Sequence, residues 1–386
     1  MRIALVHDWL ITLGGADRVL LALHELFPQA PVYTALYDPN RLPPSFADLP
    51  VRTSWLQRLP GARQRHRSLL PAMPFAFRSF DLRGYDVVIS SSHACAHGVR
   101  VPNGAVHICY CHTPMRYAWD QAPTYLRSIS SLARPAARMA FAALRAWDRA
   151  AAQRVDYYVA NSQHVAGRIK AHYGREATVI YPPVDVEFFT PSPLPSPPQG
   201  GEGRILDILS PLGRGEGEGY FLVVSRLVPY KRVDLAVLAC TQLGLPLVVA
   251  GDGPERARLG TMAGPTVRFA GQVDDAGLRE LYRGCRALIF PGEEDFGIVP
   301  VEAQACGRPV IAYARGGVLE TVIPGRTGAL FDEQSVASLR MAVGEFEPGR
   351  FDSAAIRAHA QRFSPQRFAR AMAEFVMHRA PYHGDA

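Results

Sequence analysis

Residues Tyr220–Leu243 read YFLVVSRLVPYKRVDLAVLACTQL. An apolar run rich in β-branched and aromatic residues gives way to a polar turn and then to apolar positions at helical spacing. That is the pattern of a buried strand, a turn and a helix. Downstream, PLVVAGDG, VRFAG, ALIFPG and PVIAY read as further short buried strands separated by helices. Upstream the same pattern occurs once before. RIALVHD is a short apolar run, and LGGADRVLLALHELF places Val19, Leu20, Leu23, Leu26 and Phe27 at helical spacing. DVVIS, HICYCH and DYYVANS continue that half, with a long helix over LARPAARMAFAALRAWDRAAAQ before the last of them.

Two successive strand–turn–helix openings predict an α/β fold of two Rossmann-like domains facing each other across a cleft. The expected divisions are 1–189, a linker over 190–219, a second domain over 220–363, and a helix over 364–386. Ser364 is its candidate N-cap and Pro365 its first helical residue, and it is expected to pack back toward the first domain. The linker TPSPLPSPPQGGEGRILDILSPLGRGEGEG holds six Pro and seven Gly with little apolar periodicity, which predicts a disordered insert or surface loop.

The length of 386 residues suits two domains, since single cores stop growing at about 250–300 residues. A hydrophobic share of 48% against 20% charged residues excludes a disordered or fibrous chain. The net charge of +7 points to acidic partners such as nucleotide phosphates or lipid headgroups. None of the six Cys forms a C-x-x-C pair, so reduced thiols are expected. MRIALVHDWL lacks the features of a signal peptide, and no apolar run reaches a membrane span of about 18–20 residues. The expected location is the cytoplasm, with any membrane contact peripheral on the inner face of the plasma membrane.

In PGEEDFGIVPVEAQACG, residues 291–307, Pro300 suits the first helical position and Gly307 a left-handed stop. The amides of Phe296, Gly297, Ile298 and Val299 then stand at a helix N-terminus, a phosphate-receiving geometry. Glu302 falls in the first turn and Glu294 on the preceding loop, so the two come from different elements rather than forming a hydrolytic pair. Arg226 and Lys231 follow strand FLVV at the carboxyl end of a sheet, where a guanidinium fork and an ammonium together neutralise a diphosphate. AGDGPE offers Gly251 and Gly253 for close backbone approach.

SRLVPYKRVD, AGDGPE, FAGQVDDAGLRELYRGC and EDFGIVPVEAQACGRPVIA together resemble the family-four retaining glycosyltransferases of GT-B fold. Glu294 and Glu302 match that family's E-x7-E motif. HDWLITLGGADRVL and YCHTPMRYAWD resemble its bacterial surface-polysaccharide branch, often mannosyltransferases. The resemblance implies that Arg226 and Lys231 hold the donor diphosphate with the amides of residues 296–299. It further implies that Glu294 contacts the transferred sugar, Glu302 the ribose, and the main chain near Val273 the base. Gly14 and Gly15 would face the diphosphate from the other domain. His112 would lie near the sugar, and Arg116 and Tyr117 on the acceptor side. Glu293 is expected to face solvent.

The implied reaction moves a sugar, mannose from GDP-mannose, onto a lipid-linked saccharide with retained configuration. A UDP-sugar transferase, or a nucleotide-sugar epimerase or binding protein of the same fold, stays open as the alternative. No cofactor or metal is expected, and the sequence holds no Asp-x-Asp triplet. Blander roles also stay open: Glu302 complementing a helix dipole, His112 as a structural histidine, Gly14–Gly15 as a plain turn. The segment 52–83 carries seven Arg against one acid, with Trp55, Phe75, Phe77 and Phe80 interleaved. It reads either as a solvated face or as a docking face for an anionic inner-membrane surface. No nucleic-acid motif accompanies it.

Overall fold

A computed structural model describes residues 1–120, 122, 126, 130–191 and 219–380. The chain forms two units, residues 1–183 with 365–386, and residues 184–364. The division falls after Pro183, earlier than the 189/190 expected. Val186 and Phe189 are buried, and the Phe189 ring meets Tyr282 of the second unit at 5.6 Å. Apart from its two ends, the expected linker lies outside the described residues.

The first unit is a seven-stranded sheet in the order β3-β2-β1-β4-β5-β6-β7. Its strands are β1 (Ile3–His7), β2 (Val32–Thr34), β3 (Val51–Thr53), β4 (Val87–Ser92), β5 (Val106–Cys111), β6 (Tyr157–Ala160) and β7 (Ala177–Val179). All neighbours are parallel, and Ile3 to His7 pair in register with Val87 to Ser91. Burial on both faces explains why these strands read as apolar runs rather than as alternations. On one face, Leu5, Ile89, Ile108 and Tyr110 pack with Val19, Leu20 and Leu23 of helix Gly15–Leu26. The C-terminal helix Pro365–Met377 buries Phe368, Met372, Phe375 and Val376 in this same cluster. The opposite face buries Ala4, Val6 and Val88 against Met73 and Phe77.

The second unit has six strands in the order β10-β9-β8-β11-β12-β13. They are β8 (Tyr220–Val224), β9 (Leu247–Ala250), β10 (Val267–Gly271), β11 (Cys285–Phe290), β12 (Val310–Tyr313) and β13 (Gly328–Phe331), again all parallel. Helices Val233–Leu243 and Val336–Gly344 pack together on one face over Phe221, Val223, Val249 and Ile289.

In both sheets the chain runs outward in one direction and then reverses. The reversal opens a crevice beyond the carboxyl ends of two neighbouring strands, the place where open α/β sheets bind ligands. In the first unit these strands are β1 and β4; in the second they are β8 and β11.

Among the described residues no helix is long and apolar enough to cross a membrane. Of the aromatic residues interleaved in the segment 52–83, Trp55 and Phe75 are exposed, whereas Phe77 is core and Phe80 stacks edge-on against it.

Candidate functional site

At the crevice of the second unit, β8 leads into Ser225 and Arg226 and on to a short 3-10 turn, Pro229–Lys231. β11 leads into Pro291, Gly292, Glu293 and Glu294. A small pocket between the two strand ends is lined by Ser225, Lys231, Gly292 and Glu294. The Lys231 ammonium makes a close ion pair with the Glu294 carboxylate, both side chains being largely buried. A Cβ on Gly292 would stand 3.0 Å from the Lys231 carbonyl, so the absence of a side chain there lets the two loops meet. Glu294 is held through its backbone: Gly317 N–H donates to its carbonyl at 2.8 Å, and a Cβ on Gly316 would come within 2.3 Å of that oxygen. Glu293 is exposed. Arg226 is exposed too and donates to the Tyr230 hydroxyl at 2.9 Å, so only Lys231 of the two expected cations points at Glu294.

The helix after Glu294 runs Ile298–Ala305, starting two residues before the position expected. Gly297 is the reason. Its φ of 90° is left-handed, a conformation that suits glycine, and it starts the helix directly. Pro300 is therefore the third helical residue, where its missing N–H costs nothing because first-turn amides have no intrahelical acceptor. The amides of Ile298 and Val299 remain at the N-terminus. Glu302 moves beyond the first turn, contrary to the expectation. It is 6% exposed, and the Tyr282 hydroxyl donates to its Oε2 at 2.7 Å. The helix closes as read: Gly307 has φ 74°, its N–H donates to the Gln304 carbonyl, and Arg308 N–H donates to that of Ala303. Phe296 points away from the crevice into the core, its ring against Phe363 at 5.4 Å.

Gly251 and Gly253 sit after β9 with φ of 122° and 158°. A Cβ on Gly251 would stand 1.9 Å from the Ser225 carbonyl, and one on Gly253 2.4 Å from that of Leu227. The close approach at these glycines is thus made by the chain's own neighbouring loop. Val273, half-buried, lies between β10 and the helix Asp275–Gly284, which Asp274 caps by accepting from Gly277 N–H.

At the crevice of the first unit, His112 follows β5 and is 8% exposed. Burial, with His93 and His7 nearby, holds its pKa well below the ordinary histidine value, which keeps the ring neutral at physiological pH. Gly14 caps the helix that Gly15 begins, with an extended backbone at φ −146°, so neither residue is required there by a left-handed turn. Gly14 N–H donates to Asp17 Oδ2 at 2.6 Å, the third-residue half of a capping box. Arg116 and Tyr117 are half-buried in the turn after Met115.

Sequence reasoning passed over Asp8. It is fully buried at the end of β1 and accepts from the amides of His93, Ala94, Cys95 and Ala96 at 2.6–2.9 Å. Burial pushes its pKa up, but His93, His7 and these amides outweigh that and hold it below the usual carboxylate value. His7, Asp17, Ser91 and Tyr282 were passed over as well. The available signal was polar residues ending apolar strands, HD after RIALV and SSSH after VVI.

Residues 13–188 match the model of Glycosyltransferase Family 4, and residues 207–363 that of Glycosyl transferases group 1. Each of the two matched regions is similar to a glycosyltransferase domain, and each takes in less than half of the chain. The region similar to Family 4 includes Gly14 and His112, and the region similar to group 1 includes Lys231 and Glu294. Curated relatives include a D-inositol 3-phosphate glycosyltransferase of Streptomyces scabiei, 30% identical over 57% of this chain and 53% of the relative. A GDP-mannose-dependent alpha-mannosyltransferase of Mycolicibacterium smegmatis is 35% identical over 48% of this chain and 47% of its own. The chain spans about half the length of the curated relatives it matches.

Two solved structures share the fold over 98% of this chain. Anabaena HepE in complex with UDP is matched over 100% of its length, with a TM-score of 0.68 and 21% identity. Sucrose-phosphate synthase from Thermosynechococcus elongatus is matched over 99%, with a TM-score of 0.73 and 20% identity. These likenesses show the shared fold, two parallel-sheet α/β domains. No group of His, Cys, Asp or Glu able to hold a metal ion occurs among the described residues.

Proposed function

We propose that the protein is a retaining glycosyltransferase that moves mannose from GDP-mannose onto a lipid-linked saccharide. The observation that carries the reading is the Lys231–Glu294 pair at the β8/β11 crevice, beside the N-terminus of helix Ile298–Ala305. A donor diphosphate entering there meets an ammonium and a helix N-terminus, both suited to its charge. Arg226, exposed on the same loop, supplies a second cation once a diphosphate gives it a partner. As the sugar–phosphate bond lengthens toward an oxocarbenium-like state, Lys231 and the amides stabilise the departing charge electrostatically. Glu294 accepts hydrogen bonds from sugar hydroxyls and holds the anomeric carbon in place. Glu302, oriented by Tyr282, takes the ribose hydroxyls. No step requires a metal in this scheme.

Similarity to the GDP-mannose-dependent relative favours a guanine donor. The UDP complexes of HepE support the second reading, a UDP-sugar donor. Thermal unfolding with each nucleotide sugar separates them, because ligand at about 100 times its Kd stabilises by about 2.7 kcal/mol. GDP-mannose should raise Tm and UDP-glucose leave it unmoved; the opposite result selects the UDP reading. Incubation with labelled donor and a lipid-linked acceptor then tests transfer itself. Conversion of the donor alone would indicate an epimerase, and no conversion a binding protein. The exposed Trp55 and Phe75 amid the arginines of 52–83 support peripheral docking on anionic lipid, an idea that ends if anionic vesicles at low salt retain no protein.

A further inference from the structure

At the β1/β4 crevice a continuous line of hydrogen bonds joins the glycine turn to His112. Gly14 N–H donates to Asp17 Oδ2 at 2.6 Å. Asp17 Oδ1 lies 3.1 Å from His7 Nε2, His7 Nδ1 3.1 Å from Ser91 Oγ, and Ser91 Oγ 2.8 Å from His112 Nε2. His7 and Ser91 have no exposure, and Asp17 has 6%. The in-register pairing of His7 with Ser91 across β1 and β4 sets the middle of the line.

For a His7 with one ring hydrogen, donor and acceptor inventories decide the line's direction. An ionised carboxylate only accepts, so His7 carries its hydrogen on Nε2. With that single ring hydrogen on His7, Nδ1 presents a lone pair and the Ser91 hydroxyl donates to it; a second hydrogen on His7 would reverse the line. That hydroxyl has one hydrogen, so toward His112 its oxygen accepts. His112 must therefore donate from Nε2, which leaves Nδ1 as its acceptor.

We propose that Asp17, His7 and Ser91 are positioning residues that hold His112 as the Nε2–H tautomer and so present Nδ1 as a fixed acceptor. Such an acceptor suits a hydroxyl of the donor sugar, a role that rests on the transferase reading above; the tautomer assignment does not.

The test is nitrogen NMR of the full-length protein with labelled histidine, His112 being assigned by its loss in His112→Gln. Wild type should show a lone-pair shift at His112 Nδ1 and a protonated shift at Nε2. Asp17→Asn should reverse the pattern. Gly14 N–H keeps an acceptor only if the new amide turns its oxygen toward Gly14 and its NH₂ toward His7. His7 then carries hydrogen on Nδ1, Ser91 donates to His112, and His112 moves its hydrogen to Nδ1. In Ser91→Ala the link is cut, so adding Asp17→Asn to it should leave His112 unchanged. Turnover should fall by up to about tenfold in Asp17→Asn, the worth of one net hydrogen bond, with donor KM little altered. A wild-type His112 protonated on Nδ1, or an unchanged tautomer in folded Asp17→Asn, overturns the proposal. If Asp17→Asn does not fold, an Nδ1–H His112 in wild type still overturns it and an Nε2–H His112 supports it. Correct tautomers in a protein that transfers no sugar would instead overturn the transferase reading alone.

Discussion

Glu293 and Glu294 are adjacent carboxylates with different surroundings. Glu294 is largely buried against Lys231, with its carbonyl gripped by Gly317, whereas Glu293 faces solvent. Glu294→Ala removes the partner of Lys231 at the pocket while leaving the backbone bridge intact, so kcat/KM should fall by about 100-fold or more in a protein that still folds. Glu293→Ala should leave kcat/KM within about twofold, as exposed substitutions usually do. Equal losses at both positions would reassign the site. The sequence spacing singled out Glu294, but the ion pair with Lys231 joins residues 63 apart and needed the fold to be seen. Glu302 shows the reverse. Its place in the pattern was legible, yet its burial and its Tyr282 partner were not, because Gly297 rather than Pro300 starts the helix.

Between elements, buried charge does the joining. His97 lies 3.3 Å from Asp148, which also accepts from Trp119 and Tyr173, tying helices Arg134–Ala152 and Gln163–Tyr173 to the loop after β4. Burial works against the charged ring, but Asp148 outweighs it and lifts the His97 pKa from 6.5 to about 9. A raised folded pKa gives stability that is complete below the unfolded value and lost as pH rises through the folded one. The first unit should therefore lose about 3 kcal/mol between pH 6.5 and somewhat above pH 9. Urea unfolding across that range checks it: His97→Gln should flatten the dependence, and an identical slope in wild type and variant would refute the assignment. No sequence period reveals such a pair, since His97 and Asp148 meet only after β5 and the long helix are placed.

At the scale of the whole chain, the first unit is made of two separated stretches, 1–183 and 365–386. Phe368 and Met372 are 2% and 0% exposed among the side chains of β1, β4 and β5. Truncation after Ser364 should unfold the first unit, since each large buried side chain removed costs about 2–5 kcal/mol against a typical domain stability of 5–15. Loss of near-ultraviolet dichroism and raised protease sensitivity within residues 1–183 would show this; a truncated chain with an unchanged melting curve would contradict it. Apolar runs, their alternation with helical spacing, and the caps at Gly307 and Pro365 were enough to read two parallel α/β domains. These are local properties, set by which residues fill a pleat or a turn. The Pro183 boundary, the Asp8 anchor, the line from Gly14 to His112 and the Lys231–Glu294 pair were decided by tertiary structure. Each depends on strand order and register, which bring the ends of distant strands to one crevice and which no single stretch of sequence encodes.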